Sequence, residues 1–553
     1  MTSNTFAFSP ERRQAALSAM ATATLDLLVI GGGITGAGVA RDAALRGMSV
    51  ALVEKSDFAA GTSSRSSKII HGGVRYLEYL QFGLVRESVR ERAVLRKIAP
   101  HLVHPLPFLY PVWRGESLLK IRIGLFLFDL MAGKARGVWS RRIGPNEVRE
   151  LLPGLRDPLK GAVLYREYIT DDARFTLANV RSAAAHGALI ANHACAERLL
   201  TEDGCVVGSA IRDVLSGEEI IVRARTVVNA AGPWVEAVFR DSNLEPPARI
   251  TPSKGIHLLF RRSRLPLEAA TFLRARNGRS GLAMPRGPWV YVGTSDDEYR
   301  EDLDRPRAEL EEIDELLALA AECFPELALT REDVVATWAG IRPLIHEEGK
   351  ATRDMSRHDE IWSSPPGLVS VAGGKLTTYR RMAQRVMEAV ERELGEPLPG
   401  TDRTATDSLP GSPGEDLAAF RVRVRQELAR RAVAEETADR LLGLYGTEID
   451  TLLGYGLEDP AWLAPLAPGA DALRGEVRHA IQEEMALTLP DILDRRLALL
   501  LFPSPDPRAV AEAAVEVATE LLGWTPERRR REVEEYLGMA REHGSLGRST
   551  PPG

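Results

Sequence analysis

Cysteine is scarce. The chain of 553 residues holds three, Cys195, Cys205 and Cys323, far apart and with no CxxC pair. That excludes iron–sulfur or structural zinc ligation by cysteine clusters and a disulfide framework. All three read as small apolar filler, and a reducing cytosol is the simplest setting. No apolar run approaches the roughly 20 residues of a membrane span. The N-terminal stretch MTSNTFAFSPERRQAALSAMATATL lacks a signal peptide's order of parts and predicts only a short surface helix after Ser9-Pro10. Nor is there a basic excess. The formal net charge is -6, so nucleic-acid binding is not expected, although a local basic pocket for a small anion remains compatible with it. No internal repeat and no metal-ligand cluster stand out.

What the chain does have is an assembled dinucleotide signature. The segment DLLVIGGGITGAGVARDAALRGMSVALVEKSDF reads as strand, tight turn, helix and second strand, the second ending on Glu54. Gly31 permits the turn, Gly33 lets backbone approach a pyrophosphate, and Gly36 lets helix and strand pack closely. The helix start offers N–H groups and a positive dipole end to phosphate. Glu54 lies where a carboxylate accepts hydrogen bonds from a ribose.

Beyond this turn comes a second glycine/serine loop, GTSSRSSKIIHGGVRYLEY, residues 61–79. Helical spacing covers 82–98 and 173–186, and extended chain covers 101–115, 162–168 and 219–230. Short strands and turns from 250 to 300 predict an antiparallel sheet. A strand, a glycine turn and a helix return at 368–395. Residues 396–416 are rich in Pro, Gly, Ser and Thr and read as a linker; helical patterns follow from 417 to about 545. The expected architecture is α/β. An N-terminal extension (1–23) precedes a discontinuous Rossmann-like domain (24–100, 150–248, 332–395), a substrate domain (101–149, 249–331), the linker, and an α-helical C-terminal domain (417–545).

Three features favour FAD over NAD. The first turn sits near the N-terminus, VVNAAGPW at 227–234 places a small-residue turn after a central strand, and VAGGKLTTY at 371–379 places another before a helix. A long flavin needs several such turns, and the last could aim a helix N-terminus at the ring edge that gains charge on reduction.

In order, the motifs GGGITGAGVARDAALRG, GTSSRSSKIIHGGVRYLE, IRIGLF, VNAAGPWV, WAGIRPLI and SVAGGKLTTYRRMA closely resemble FAD-dependent glycerol-3-phosphate dehydrogenase over about 24–395. The wider group is D-amino-acid oxidase-like. The resemblance implies FAD as cofactor, glycerol 3-phosphate as substrate and a quinone as acceptor. The anaerobic branch, whose C-terminal domain is expected to contain cysteines, is discounted because this chain lacks those cysteines. An oxidase passing electrons to oxygen shares the scaffold and is a separate alternative, as is a non-catalytic FAD-binding sensor.

The resemblance also assigns residues. Cofactor contact falls to Gly31, Gly33, Ile34, Thr35 and Gly36 in the first turn, and to Glu54 and Lys55 after the second strand. Thr62, Ser63, Ser64, Ser67, His71 and Gly73 follow in the second loop. Ala194, Ala231 and Gly232, then Gly374, Lys375, Leu376 and Thr377, complete the set. Arg75, Tyr76, Arg342, Arg353 and Lys375 are placed near the substrate. Arginine suits phosphate because its planar fork forms paired hydrogen bonds. His257, in KGIHLLF, is the candidate base, its ordinary pKa being suited to proton transfer near neutrality. Arg342 and Lys375 join it as catalytic candidates, Arg342 as an electrostatic stabiliser of an alkoxide.

The segment SLLKIRIGLFLFDLM, 117–131, is apolar with Lys120 and Arg122 inside it and Lys134, Arg136, Arg141 and Arg142 following. It is too short to span a bilayer, but it could lie in the interface with its cations on anionic headgroups. Since quinone-linked members of the resembled family are peripheral membrane proteins, contact with the cytoplasmic face of the membrane is expected. The helical C-terminal domain is open to two readings, a cap over the catalytic unit and a homodimer contact.

Overall fold

The computed structural model describes residues 8–74, 81–133, 139–347, 359–414 and 416–544. Two sheets and a helical body make up the architecture. The first sheet is parallel through Leu368–Gly373, Glu219–Asn229, Thr24–Ile30, Val50–Val53 and Leu189–Ala191, in that spatial order. Asp359–Ser363 adds an antiparallel edge, and the hairpin of Ala194–Glu202 with Cys205–Asp213 pairs onto the long strand 219–229. Buried on both faces, Thr24–Ile30 reads as a near-continuous apolar run, as parallel strands do. Leu27 and Val29 pack into one core with the helices Ile34–Arg46 and Tyr379–Leu394, while Leu28 and Ile30 pack into the core on the other face. The predicted N-terminal helix is there, Pro10–Met20, capped by Ser9. Its buried Arg13 is fastened to Asp213 and to the carbonyls of Asn192 and His193.

The second sheet runs Asp297–Glu298, Ile250–Arg261, Trp289–Gly293, Ser280–Arg286, Ala270–Arg274, His104–Trp113, Leu159–Ile169 and Ile69–Ile70, with Val334–Ile345 also paired to Ile250–Arg261. It is antiparallel apart from the parallel contact between Ala270–Arg274 and His104–Trp113. Besides the short strand 69–70, two long stretches that the sequence groups with the dinucleotide unit, 159–169 and 334–345, lie in this sheet. Both are long strands whose partners are distant in sequence, and local patterning carries no information about which sheet a strand joins.

The C-terminal body is helical: Leu417–Arg430, Glu435–Tyr445, Ile449–Glu458, Arg474–Gln482, a π-helical segment Asp491–Arg496, Pro507–Leu522 and Pro526–Glu542. It is packed onto the first domain through buried ion pairs: Arg174 with Glu484 at 2.6 Å, and Arg181 with Glu448 at 2.6 Å. The linker is likewise fastened. Arg41 donates to the carbonyls of Thr404 and Asp407, Arg46 to that of Gly400, and Arg380 pairs with Asp402.

Candidate active site

The central strand Thr24–Ile30 has Val50–Val53 on one side and Glu219–Asn229 on the other. Successive connections leave it in opposite directions, so a crevice opens beyond its C-terminal end, where open α/β sheets bind ligands. The turns at 31–33, 230–232 and 373–374 all lie at C-terminal ends of these parallel strands. Gly31 has φ +111°. A Cβ on Gly36 would stand 1.9 Å from the Gly31 carbonyl oxygen, so only glycine lets the helix start so close to the strand.

The turn is held from two sides. Glu54, half-buried, accepts from the N–H of Gly32 at 2.6 Å and of Ser56 at 3.0 Å, while Ala59 N–H donates to the Gly32 carbonyl. Burial is the largest influence on the Glu54 carboxyl and raises its pKa. Ser63 accepts from the N–H of Ile34 at the helix start, 2.9 Å. Lys55 lies over the Trp234 ring, 4.3 Å from its centroid. Ala194 sits at the strand start beside it, its N–H on the Glu54 carbonyl.

The residues fit a flavin dinucleotide. A methyl group on Gly232 would meet nothing within 4 Å, and one on Gly33 only Ser63 Oγ at 3.3 Å. The buried Trp234 Nε1 has no hydrogen-bond partner among the described residues. The first turn, Ala231-Gly232 and the Gly374–Thr377 turn would hold the group.

The second sheet presents its catalytic candidates to the loop 61–68. Ser253, Gly255 and His257 stand opposite Arg342, Gly340 and Trp338, so all six share one face of the strand pair. The middle pair is glycine on both strands. A side chain at 340 would strike the Arg65 backbone at 2.6 Å, and one at 255 would strike Arg342 at 2.2 Å. The glycines thus let the loop lie on the sheet. Thr62 Oγ1 donates to the Ile341 carbonyl at 2.5 Å, and Ser67 Oγ lies 2.8 Å from His257 Nε2. Lys68, in the left-handed region at φ +56°, donates to the Ser64 carbonyl and pairs with Asp172, which also accepts from Ser66.

His257 is 2 % exposed and stacks on Trp338 with centroids 4.7 Å apart. Burial first, then the positive charges of Arg342 and Lys68, push its pKa well below the ordinary histidine value. The ordinary value on which the sequence reading leans therefore does not apply here, and the ring is neutral at neutral pH. Arg342 is half-buried. It donates to Thr294 Oγ1 at 2.7 Å, to the Ser295 carbonyl at 3.1 Å and to Asp296 at 3.1 Å. Lys375 begins the turn Leu376–Thr378 ahead of the helix Tyr379–Leu394, and Thr377 Oγ1 accepts from the His71 N–H at 3.1 Å. Gly73 closes the second loop in a left-handed turn, φ +77°. Arg75, Tyr76 and Arg353 lie outside the described residues.

Residues the sequence reading missed are the supports. Arg65 and Lys68 stand inside the loop motif it quotes. Thr294 and Asp296 belong to the polar GTSDD run after Trp289–Gly293, a cue that was there to be read. Asp494, 2.6 Å from Arg65, has no local cue at all.

Fold and site together define a flavin-dependent oxidoreductase with a parallel dinucleotide sheet, a substrate sheet and a helical C-terminal body. Residues 26–380 match the FAD dependent oxidoreductase family, and 397–529 match the C-terminal domain of alpha-glycerophosphate oxidase. The chain is 37% identical over 538 residues to the aerobic glycerol-3-phosphate dehydrogenase of Bacillus subtilis, covering 95% of this chain and 96% of that one. It is 36% identical over 534 residues to the aerobic glycerol-3-phosphate dehydrogenase of Staphylococcus aureus, with 94% and 95% covered. The solved glycerol-3-phosphate dehydrogenase from Bacillus halodurans, complexed with FAD, matches with a TM-score of 0.82 at 34% identity, covering 98% and 99% of the two chains. The chain belongs to the family of aerobic, FAD-dependent glycerol-3-phosphate dehydrogenases, and its cofactor is FAD.

Proposed function

We propose that the protein oxidises sn-glycerol 3-phosphate to dihydroxyacetone phosphate and passes the electrons to a quinone at a membrane surface. The observation that carries the site reading is the sheet face shared by Arg342 and His257, where His257 meets Ser67 of the serine-rich loop 61–68. When bound, FAD supplies the hydride acceptor. Arg342, held in one pose by Thr294, Ser295 and Asp296, stabilises negative charge developing on the C2 oxygen. Arg75, Arg353 and Lys375, with Tyr76, bind the phosphate and orient the substrate. His257 is too buried to meet substrate directly. Ser67, half-buried, links it outward, so the hydroxyl proton passes by way of Ser67 Oγ to His257 Nε2.

An anaerobic titration with sn-glycerol 3-phosphate tests this reading. Bleaching of the oxidised flavin is the expected result, and a spectrum that stays oxidised would refute the substrate assignment. Under air, hydrogen peroxide formed in step with substrate would move the acceptor to oxygen.

The low pKa of His257 gives a further expectation. A group able to accept a proton only when neutral loses that ability below its own pKa, and here that pKa lies well under the ordinary value of 6.5. The flavin-reduction rate therefore shows no decline attributable to His257 between about pH 6 and 8. Ser67→Ala lowers that rate by about tenfold or more without changing FAD content, as rapid-mixing absorbance would report.

Membrane contact is assigned to the helix Leu118–Ala132, capped by Ser117. Its inner face buries Leu125, Phe128 and Ala132. Its outer face leaves Leu119, Ile123, Phe126, Leu127 and Leu130 exposed, and Phe126 stacks on exposed Trp139. Lys120, Arg122, Arg141 and Arg142 are exposed around them. No helix among the described residues is long and apolar enough to cross a membrane. An apolar stripe rimmed by cations suits reversible seating in anionic lipid. Phe126→Asp with Leu130→Asp is expected to abolish co-sedimentation with anionic vesicles at low salt and to leave turnover with a soluble acceptor intact.

A further inference from the structure

The sequence leaves the C-terminal domain without an assigned role, and the structure gives its π-helical segment an unusual set of contacts. Arg496 grips Asp57 through both nitrogens, Nη1 to Oδ2 at 2.6 Å and Nη2 to Oδ1 at 2.9 Å. Arg495 Nε reaches Asp57 Oδ2 at 2.6 Å. The preceding residue, Asp494, accepts through Oδ2 from Arg65 Nη2 at 2.6 Å. Asp57 and Asp494 are buried, and both arginines nearly so.

Both grips land beside the dinucleotide turn. Asp57 lies between Glu54 and Ala59, the two residues that hold the N–H and the carbonyl of Gly32. Arg65 lies two residues after Ser63, which holds the Ile34 N–H, and two before Ser67, which meets His257. A buried ion pair is a poor source of net stability, because desolvation offsets most of the attraction. Its bidentate geometry does fix position. A π-helical turn, uncommon and frequent at functional sites, brings residues 494, 495 and 496 to bear on both loops.

We propose that the segment Asp491–Arg496 is a working part of the FAD site: by gripping Asp57 and Arg65 together it holds in register the two loops that flank the glycine turn, with Asp494 as a positioning residue for cofactor binding. The coupling is reciprocal. FAD bound at the turn steadies a segment of the C-terminal domain that need not touch it.

Hydrogen exchange on the full-length wild-type protein, with FAD bound and after flavin removal, tests this directly. Amides in 487–497 are expected to lose protection together with those in 55–67. Unchanged protection in 487–497 would overturn the proposal. Asp494→Asn, isosteric and leaving Arg65 without a charged partner, is expected to raise the FAD dissociation constant by about tenfold, with exchange in Pro507–Leu522 as in wild type. An unchanged dissociation constant in the folded variant would also overturn it. Should that variant not fold, the wild-type exchange experiment decides alone. A wild-type protein that takes up no FAD would sink the flavin assignment itself, an outcome distinct from FAD binding without coupling.

Discussion

Replacing Arg342 with alanine is expected to lower kcat/KM for sn-glycerol 3-phosphate by about a hundredfold to a thousandfold and to leave FAD content at the wild-type level. The magnitude follows from removing one preorganised donor aimed at developing negative charge, about 2.7–4 kcal/mol. Here preorganisation is visible. Three acceptors on the stretch 294–296 hold the guanidinium, and Gly255 leaves the space it fills. The loss divides between the kinetic constants informatively. A fall in kcat with KM little changed marks an interaction made in the transition state, whereas a rise in KM alone marks ground-state phosphate binding. Arg342→Lys keeps the charge without the fork that spans Thr294 and Asp296, and should recover only part of the rate. Wild-type turnover and substrate affinity in Arg342→Ala would remove this residue from the mechanism.

Gly36→Ala is expected to yield protein with little or no bound flavin. The added methyl carbon would lie 1.9 Å from the Gly31 carbonyl oxygen and 3.1 Å from its carbon, and neither belongs to a side chain that can swing away. The helix start must move from the strand, displacing the N–H groups that face the pyrophosphate position. Overpacking of this kind costs about 1–3 kcal/mol, which weakens binding by up to roughly a hundredfold if it falls wholly on the bound state. Flavin absorbance per mole of purified protein is the measurement. A second consequence is a lower melting temperature, since the variant loses the stabilisation that ligand binding lends the native state. An equally yellow, equally stable variant would show that the close approach at 31–36 is dispensable.

The sequence carries the local half of this architecture. Strand, glycine turn, helix and second strand at 26–54 are legible because each has a short-range signature; that Glu54, read as a ribose acceptor, also accepts from the Gly32 N–H is not. His257 and Arg342 are legible as chemistry-bearing residues in recognisable strands. Their meeting is not, because it depends on the register that sets Ser253 against Arg342 and His257 against Trp338. The lowered basicity of His257 was equally hidden. It comes first from burial, then from the charges of Arg342 and Lys68, which arrive with two other segments. The sheet that 159–169 and 334–345 join was hidden for a related reason, since strand character is local and sheet membership is not. Asp494 is the extreme case: an acidic residue in a C-terminal helix whose partner, Arg65, lies near the other end of the chain.

The spatial order of the first sheet has a consequence for how the protein is made. Thr24–Ile30 is synthesised early, but its neighbour Glu219–Asn229 comes far later, and Leu368–Gly373 later still. As the chain leaves the ribosome, the central strand has only Val50–Val53 and then Leu189–Ala191 to complete its early side. The other edge stays open, with unpaired backbone groups. Domains fold as units during synthesis at about 5–20 residues per second, and open strand edges invite association with other chains. The nascent protein thus passes through an extended interval in which chaperone cover matters most. The cradle for FAD closes only after most of the polypeptide has emerged, which makes flavin capture a late event in the life of the chain.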